Sequence, residues 1–397
     1  MSGTQISPLA PALRLPCGAT LKNRIAKSAM SDSLGDGAGN PTNDQIKLYE
    51  RWAKGGLALS IIGEVQGTPH FAEKPGNLVL NSHSDRKVFE SLATAGATDA
   101  AQLWPQLGHA GAMADAAIST PKGPSALALP GLTCGAFSLE EIEALPAEFA
   151  RTASLAKKCG FGGVELHAAH GFLLNQFLSP LFNKREDAYG GSLRNRMRLV
   201  LEVISAVRGA VGPEFPVGIK LNATDQLEGG FSEDESLDVI AAVDKTEIDL
   251  IDISGGTYFP GATSSSDRVG SGPYFVEFAG RARARTNIPL MVTGGFKTLA
   301  EAEHAIADGK ADVVGLGRAL VVDPELPSFW LSGQRGTPGF PRFNNPPEGG
   351  VTAWYTMQIT QNARGEAALS PDDLEEAIAA YESRDDARRQ IWNSKLI

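Results

Sequence analysis

Short apolar runs recur along the chain, separated by longer stretches in which apolar positions return every three or four residues. The runs are RIAKSA (24–29), LALSII (57–62), DAAQLW (99–104), GGVEL (162–166), FPVGIKL (215–221), DLIDIS (249–254), IPLMVT (288–293) and ADVVGL (311–316). Most are continuous rather than alternating, which predicts strands covered on both faces of a parallel sheet. The stretches between them read as helices. TNDQIKLYERWAKGG (42–56) and SDRKVFESLATAG (84–96) open on capping residues and close on glycine. SLRNRMRLVLEVISAVRGAVG (192–212) is strongly amphipathic, and SEDESLDVIAAVDK, PYFVEFAGRARART and TLAEAEHAIADG follow. SLEEIEALPAEFARTASLAKKCG (138–160) contains Pro146, which predicts a break or kink. Strict strand–helix alternation predicts a closed (β/α)8 TIM barrel of about 250 residues plus insertions.

The insertions are long strand-to-helix loops after the first, third, fourth and sixth strands, on the side where barrel active sites form. GPSALALPGLTCGAF (123–137) is one such excursion. Residues 334–350 read as an irregular linker rich in Gly and Pro. The expected division is a barrel over 1–345 and a tail over 346–397, with one helix at 370–383. The tail is expected to pack on the barrel or on a neighbouring subunit, with TAWYTMQ (352–358) as packing surface or as a lid over the site.

Composition narrows the class. A net charge of −10 and the absence of a basic run argue against nucleic acid or an anionic membrane as partner. No apolar segment reaches membrane-spanning length, and the amino terminus lacks a secretory pattern, so a cytoplasmic enzyme is expected. Cys17, Cys134 and Cys159 are odd in number and far apart, which fits neither a disulfide framework nor a zinc site.

Chemistry is sought at the carboxyl ends of the strands. The glycines after strands seven and eight, Gly294, Gly295 and Gly317, followed by Arg318, resemble a phosphate cradle rather than simple turns. Gln102 and Lys220 are read as pointing up from the barrel interior, suited to the imide edge of a flat heterocycle, with a structural ion pair as the alternative for Lys220. His167 and His170 end the fourth strand. They are weighed as two donors to one carbonyl or nitro oxygen, as satisfied structural imidazoles, or as a metal pair. No metal is expected, because no Asp, Glu or Cys accompanies them at ligand spacing. Glu165 is expected to point away from the histidines' neighbours.

VELHAAHGFLLNQFLSPLFNKREDAYGGSLRNRMRLVLEVISAVR, together with LKNRIAKSAMS, QLWPQLGHAG, VTGGF and GLGRAL, closely resembles the Old Yellow Enzyme family of FMN-dependent NADH:flavin oxidoreductases over about residues 6–330. The resemblance implies FMN at the barrel mouth and NADH or NADPH as reductant. Ala29, Met30, Ser31 and Val65 would line the flavin, Gln102 and Lys220 would meet its pyrimidine edge, and Gly294, Gly295, Gly317 and Arg318 would hold its phosphate. His167 and His170 match the pair that binds the substrate's oxygen. Phe172, with Tyr258 nearby in the substrate pocket, stands where the family's ene-reductases carry a proton-donating Tyr. Ala29 and Ser31 depart from the usual Pro and Thr or Cys. No cysteine cluster lies in the C-terminal part and no long fused nucleotide-binding extension is expected, which argues against the iron–sulfur members.

The implied activity is ping-pong hydride transfer from NAD(P)H through flavin N5 to an activated alkene, an α,β-unsaturated carbonyl. The alternatives are flavin-dependent C–N or C–H oxidation, and a flavin-binding redox sensor with little turnover because Phe172 replaces the acid. Partners are expected to be a small-molecule substrate and further copies of the chain.

Overall fold

The computed structural model describes residues 7–259, 262, 272–334 and 336–397. Eight parallel strands close into a barrel: β1 (Ile25–Met30), β2 (Leu59–Gln66), β3 (Gln102–Gly108), β4 (Val164–Ala168), β5 (Val217–Asn222), β6 (Leu250–Ser254), β7 (Leu290–Thr293) and β8 (Val313–Leu316). Val314 pairs with Ile25 and Ala26 with Leu59, which joins the last strand to the first and the first to the second. The expected (β/α)8 barrel is therefore present.

The barrel interior is stacked in tiers. At the amino end, Ala26, Leu59, Ile61, Trp104, Leu250, Met291 and Val313 form one apolar cluster, plugged from below by Leu15 and Leu21. These residues alternate with outward-facing ones, because strand side chains change face at every position. The outward set joins the helices in a second, larger core.

The helices around the barrel are α1 (Asn43–Lys54), α2 (Arg86–Gly96), α3 (Leu139–Lys158), α4 (Arg198–Val211), α5 (Glu233–Val243), α6 (Val276–Arg283) and α7 (Leu299–Ala307). Ser138–Glu141, Ser232–Glu235 and Thr298–Glu301 form capping boxes that satisfy the first orphan N–H groups of α3, α5 and α7. Pro146 does not interrupt α3. Ile142, Leu145 and Phe149 are buried on either side of it, and the helix packs along α4, so tertiary contacts hold the backbone despite one missing donor.

Strand three differs from the expectation. Residues 98–100 form a turn in which Asp99 and Ala100 adopt φ values of 55° and 57°, and the strand starts at Gln102. It runs on to Gly108, so the whole element lies further along the chain than DAAQLW.

The tail holds two helices rather than one, α8 (Gly350–Arg364) and α9 (Leu374–Lys395). Both pack on the barrel of the same chain. Helix α8 lies against α1, and Arg364 pairs with Asp44 at 3.0 Å. Trp392 of α9 is fully buried among Ala72, Val79 and Ile118, and Asn393 Nδ2 donates to the Ala117 carbonyl at 3.1 Å. Among the described residues, no helix is long and apolar enough to cross a membrane.

Candidate active site

A polar tier lies above the apolar plug. Gln106 Nε2 donates to Glu165 Oε1 at 2.6 Å. Lys220 forms an ion pair with Asp252, and Thr293 Oγ1 donates to Asp252 Oδ1 at 2.6 Å. Ser28 and Thr293 hydroxyls meet at 2.7 Å. Burial alone would lower the Lys220 pKa, but the carboxylates of Asp252 and Glu165 outweigh it and the net shift is upward. Glu165 is pushed up to about 8, first by burial and then by the Asp252 charge, against the pull of Lys220.

Two expectations are corrected here. Gln102 lies at the wrong end of the barrel: its amide donates to the Thr20 carbonyl at 3.1 Å and accepts from Trp104 Nε1 at 2.9 Å. The late start of β3 puts Gln106, four residues on, at the mouth. Both glutamines face inward at even spacing, and only the length of the strand tells them apart. Glu165 also points into the barrel, because residues two apart on a strand share a face, so it sits below His167.

At the mouth, the His167 and His170 rings stand 5.3 Å apart and nearly perpendicular. His167 Nδ1 accepts from the Ala169 N–H at 3.2 Å, which leaves the proton of a neutral ring on Nε2. His170 has φ 61°, its N–H donates to Asn222 Oδ1 at 3.0 Å, and its Nε2 lies 2.8 Å from Ser254 Oγ. Burial lowers both imidazole pKa values, with Lys220 adding to it, and His170 falls to about 3. Both rings are therefore neutral near pH 7.

Two cavities meet at His170, and His167 borders one of them. One, of about 200 Å³, runs past Met30, Lys220, Gly294, Gly295 and Gly317 to Arg318. Gly294 and Gly295 have φ values of 109° and 85°, which only glycine adopts at low cost, so the backbone itself forms this wall. The other, of about 730 Å³, is bounded by Glu64, Gln106, His167, Phe172, Tyr258 and Tyr355. Ala29 and Met30 border both cavities, and Ser31 borders the second. Val65 borders neither; its side chain is buried in the helix-side core.

Phe172 is 3% exposed, with its ring 4.8 Å from His167 and 6.0 Å from Tyr258. Tyr355 of the tail helix α8 lies 5.5 Å from the Arg318 guanidinium and closes the outer wall. Residues 260, 261, 263–271 and 335 lie outside the described residues. Sequence reasoning missed Gln106 and Asp252, placed Tyr355 only in a segment that packs or forms a lid, and gave Glu64 no role. Glu64 was visible at the end of strand two, but no spacing ties it to the histidines.

The smaller cavity suits a flat, phosphate-bearing cofactor. It combines a glycine wall, an arginine at one end and a buried cation under its floor. In the comparisons, the NADH:flavin oxidoreductase / NADH oxidase family matches residues 17–334. The chain is 35% identical to the NADH-dependent flavin oxidoreductase iliE of Neonectria sp. (strain DH2), over 97% of this chain and 54% of that one, so it spans about half of that relative. It is 33% identical to the oxidoreductase of the same name from Hypocrea jecorina (strain QM6a), over 79% of this chain and 86% of that one. The Old Yellow Enzyme homologue of Zymomonas mobilis has the same fold, with a TM-score of 0.73 at 23% identity, covering 88% of this chain and 98% of that one. The chain belongs to the NADH:flavin oxidoreductase / NADH oxidase family, the Old Yellow Enzyme family that its fourth-strand motif resembles, whose cofactor is FMN and whose reductant is NADH.

Proposed function

We propose that the protein takes hydride from NADH or NADPH and delivers it to an activated alkene, an α,β-unsaturated carbonyl, with the two substrates using one mouth in turn. The observation that carries this reading is the neutral pair His167 and His170, with the His167 proton placed on Nε2 by the Ala169 N–H.

FMN bound in the smaller cavity would accept a hydride from the nicotinamide and return it to the alkene. Ala29, Met30 and Ser31 would border it, Gln106 and Lys220 would serve its polar edge, and Gly294, Gly295, Gly317 and Arg318 would hold its phosphate. His167 Nε2–H and the His170 ring would orient the substrate carbonyl and stabilise the negative charge that grows on its oxygen. Neutral donors suit this task, because they stay fixed and need not lose a proton first. Phe172 and Tyr355 would exclude water around the alkene.

The test is the visible spectrum of the FMN-loaded protein under anaerobic conditions. Flavin bands are expected to bleach with NADH or NADPH and to return on adding 2-cyclohexenone. Bands that bleach and stay bleached rule out alkene reduction.

A further inference from the structure

Alkene reduction needs a proton as well as a hydride, and residue 172 offers none. We propose that Glu64 is the general acid of this site and donates from its Oε1 to the α-carbon of the reduced alkene. The proposal rests on the alkene reading above.

Glu64 lies near the end of β2, where the register with β3 shifts between Ile62 and Val65, just past a shift against β1 between Ser60 and Ile62. It has φ 57°, a left-handed conformation that is uncommon for a residue other than glycine. This irregularity turns its carboxyl into the larger cavity, where it is 3% exposed. Strand β3 makes room with a glycine: a Cβ at Gly108 would lie 2.1 Å from Glu64 Oε2.

The two carboxyl oxygens differ. Oε2 accepts from Gln66 Nε2 at 2.9 Å. Oε1 is buried, makes no hydrogen bond and lies 3.2 Å from His167 Nε2, the atom proposed to hold the substrate oxygen. A buried polar atom left unpaired costs about 1–3 kcal/mol, so a native structure that keeps one beside a reacting centre has a use for it.

The groups facing Glu64 are His167 from β4, Glu73 and Lys74 from the loop after β2, and Tyr258 from the loop after β6. Burial and the Glu73 charge hold the Glu64 carboxyl well above the usual range, against Gln66 and Lys74, which favours its protonated form. Tyr258, which borders both cavities, is the competing donor.

The step balances. Reduced FMN, held as proposed above, would supply the hydride: its N5–H bond would break, the new C–H bond at the β-carbon would form, and the flavin would be left oxidised. The alkene π pair moves to the α-carbon and carbonyl oxygen, where the histidines hold it. The Glu64 O–H bond then breaks, its proton forms the second C–H bond, and the carboxylate regains a proton from water.

The experiment is stopped-flow reoxidation of FMN-loaded protein, reduced with NADH and mixed with 2-cyclohexenone across neutral and alkaline pH. The wild-type rate is expected to fall as pH rises through the raised Glu64 pKa. Glu64→Gln is expected to lose about 10²-fold or more and the alkaline limb with it. Reduction by NADH and binding of 4-hydroxybenzaldehyde are expected to change far less than the enone rate, and adding Phe172→Tyr restores that rate. Glu64→Asp keeps an acid with shorter reach, so it shows a lower rate with the limb retained. A Glu64→Gln protein with the wild-type rate and limb overturns the proposal, and loss of rate in Tyr258→Phe would then name the donor. A wild-type enzyme that enone cannot reoxidise overturns the alkene reading itself, and this proposal with it, before any variant is made. Should the Gln variant fail to fold, infrared difference spectra of the wild type decide: a protonated-carboxyl band perturbed by enone supports the assignment, and no such band defeats it.

Discussion

The rings of His167 and His170 stand 5.3 Å apart at 89° to one another, one supplied by strand β4 and the other by the turn that follows it. His170 reaches this position through a left-handed backbone held by the Asn222 side chain, so the two imidazoles lie side by side at the mouth. Each single change, His167→Ala or His170→Ala, is expected to weaken 4-hydroxybenzaldehyde binding roughly tenfold, equivalent to about 1.4 kcal/mol. Flavin absorbance during titration measures this, and unchanged affinity in both variants would remove the oxygen clamp.

The same pair sets a pH dependence. Unfolded imidazoles titrate near ~6.5, whereas folded His170 takes its proton only at about 3. The unfolded state therefore binds more protons between these values, and His170 withdraws stability as pH falls through that window. Thermal melts are expected to show the wild type losing more stability than His170→Ala between the two pH values. Parallel curves would contradict a buried neutral ring.

Phe172 fills the space beside His167 with a ring that cannot donate a proton. Phe172→Tyr adds a hydroxyl at the mouth with little change in volume. The rate of 2-cyclohexenone reduction is expected to rise about tenfold or more, at the low end of what a positioned acid contributes or below it, with FMN affinity unchanged. Steady-state NADH oxidation measures the rate, and no gain would show that protonation does not limit the enzyme.

The exchange of Gln102 for Gln106 makes a paired test. Gln106→Ala leaves Glu165 Oε1 without its donor and is expected to weaken FMN binding, read by quenching of flavin fluorescence. Gln102→Ala removes contacts to Thr20 and Trp104 at the far end of the barrel and is expected to leave FMN affinity as it was. The opposite result would return Gln102 to the site.

Lys220 and Asp252 are almost completely shielded from water. Lys220→Met leaves a buried carboxylate uncompensated and is expected to cost about 3–5 kcal/mol in urea unfolding. Adding Asp252→Asn removes that charge and is expected to recover much of the loss. A double variant as unstable as the single one would place the cost in packing instead.

Trp392 anchors the tail among Ala72, Val79 and Ile118, beside the loop that carries Glu73 and Lys74. Trp392→Ala is expected to destabilise the fold by about 3–5 kcal/mol. A wild-type melting curve would show that α9 is dispensable to the barrel.

The barrel was legible in the chain because burial on both faces leaves continuous apolar runs, and all eight of those runs carry a strand. The histidine motif and the glycine–arginine end were legible because their chemistry is carried by neighbouring residues in sequence. Other features depended on register and long-range contact. Local composition could not tell Gln102 from Gln106, since both face inward and only the turn at Asp99 and Ala100 decides where β3 begins. Residues 350–364 lack a clear apolar stripe, and they form a helix because α1 and the barrel rim cover it. Glu64 and His167 lie about a hundred positions apart, and no spacing rule joins them. The sequence determined the alternation of elements and the chemistry at the end of each strand. Only the tertiary structure decided which side chains share the mouth, because closing the barrel sets strand register, and that register together with the left-handed turn at Glu64 brings Glu64 Oε1 to 3.2 Å from His167.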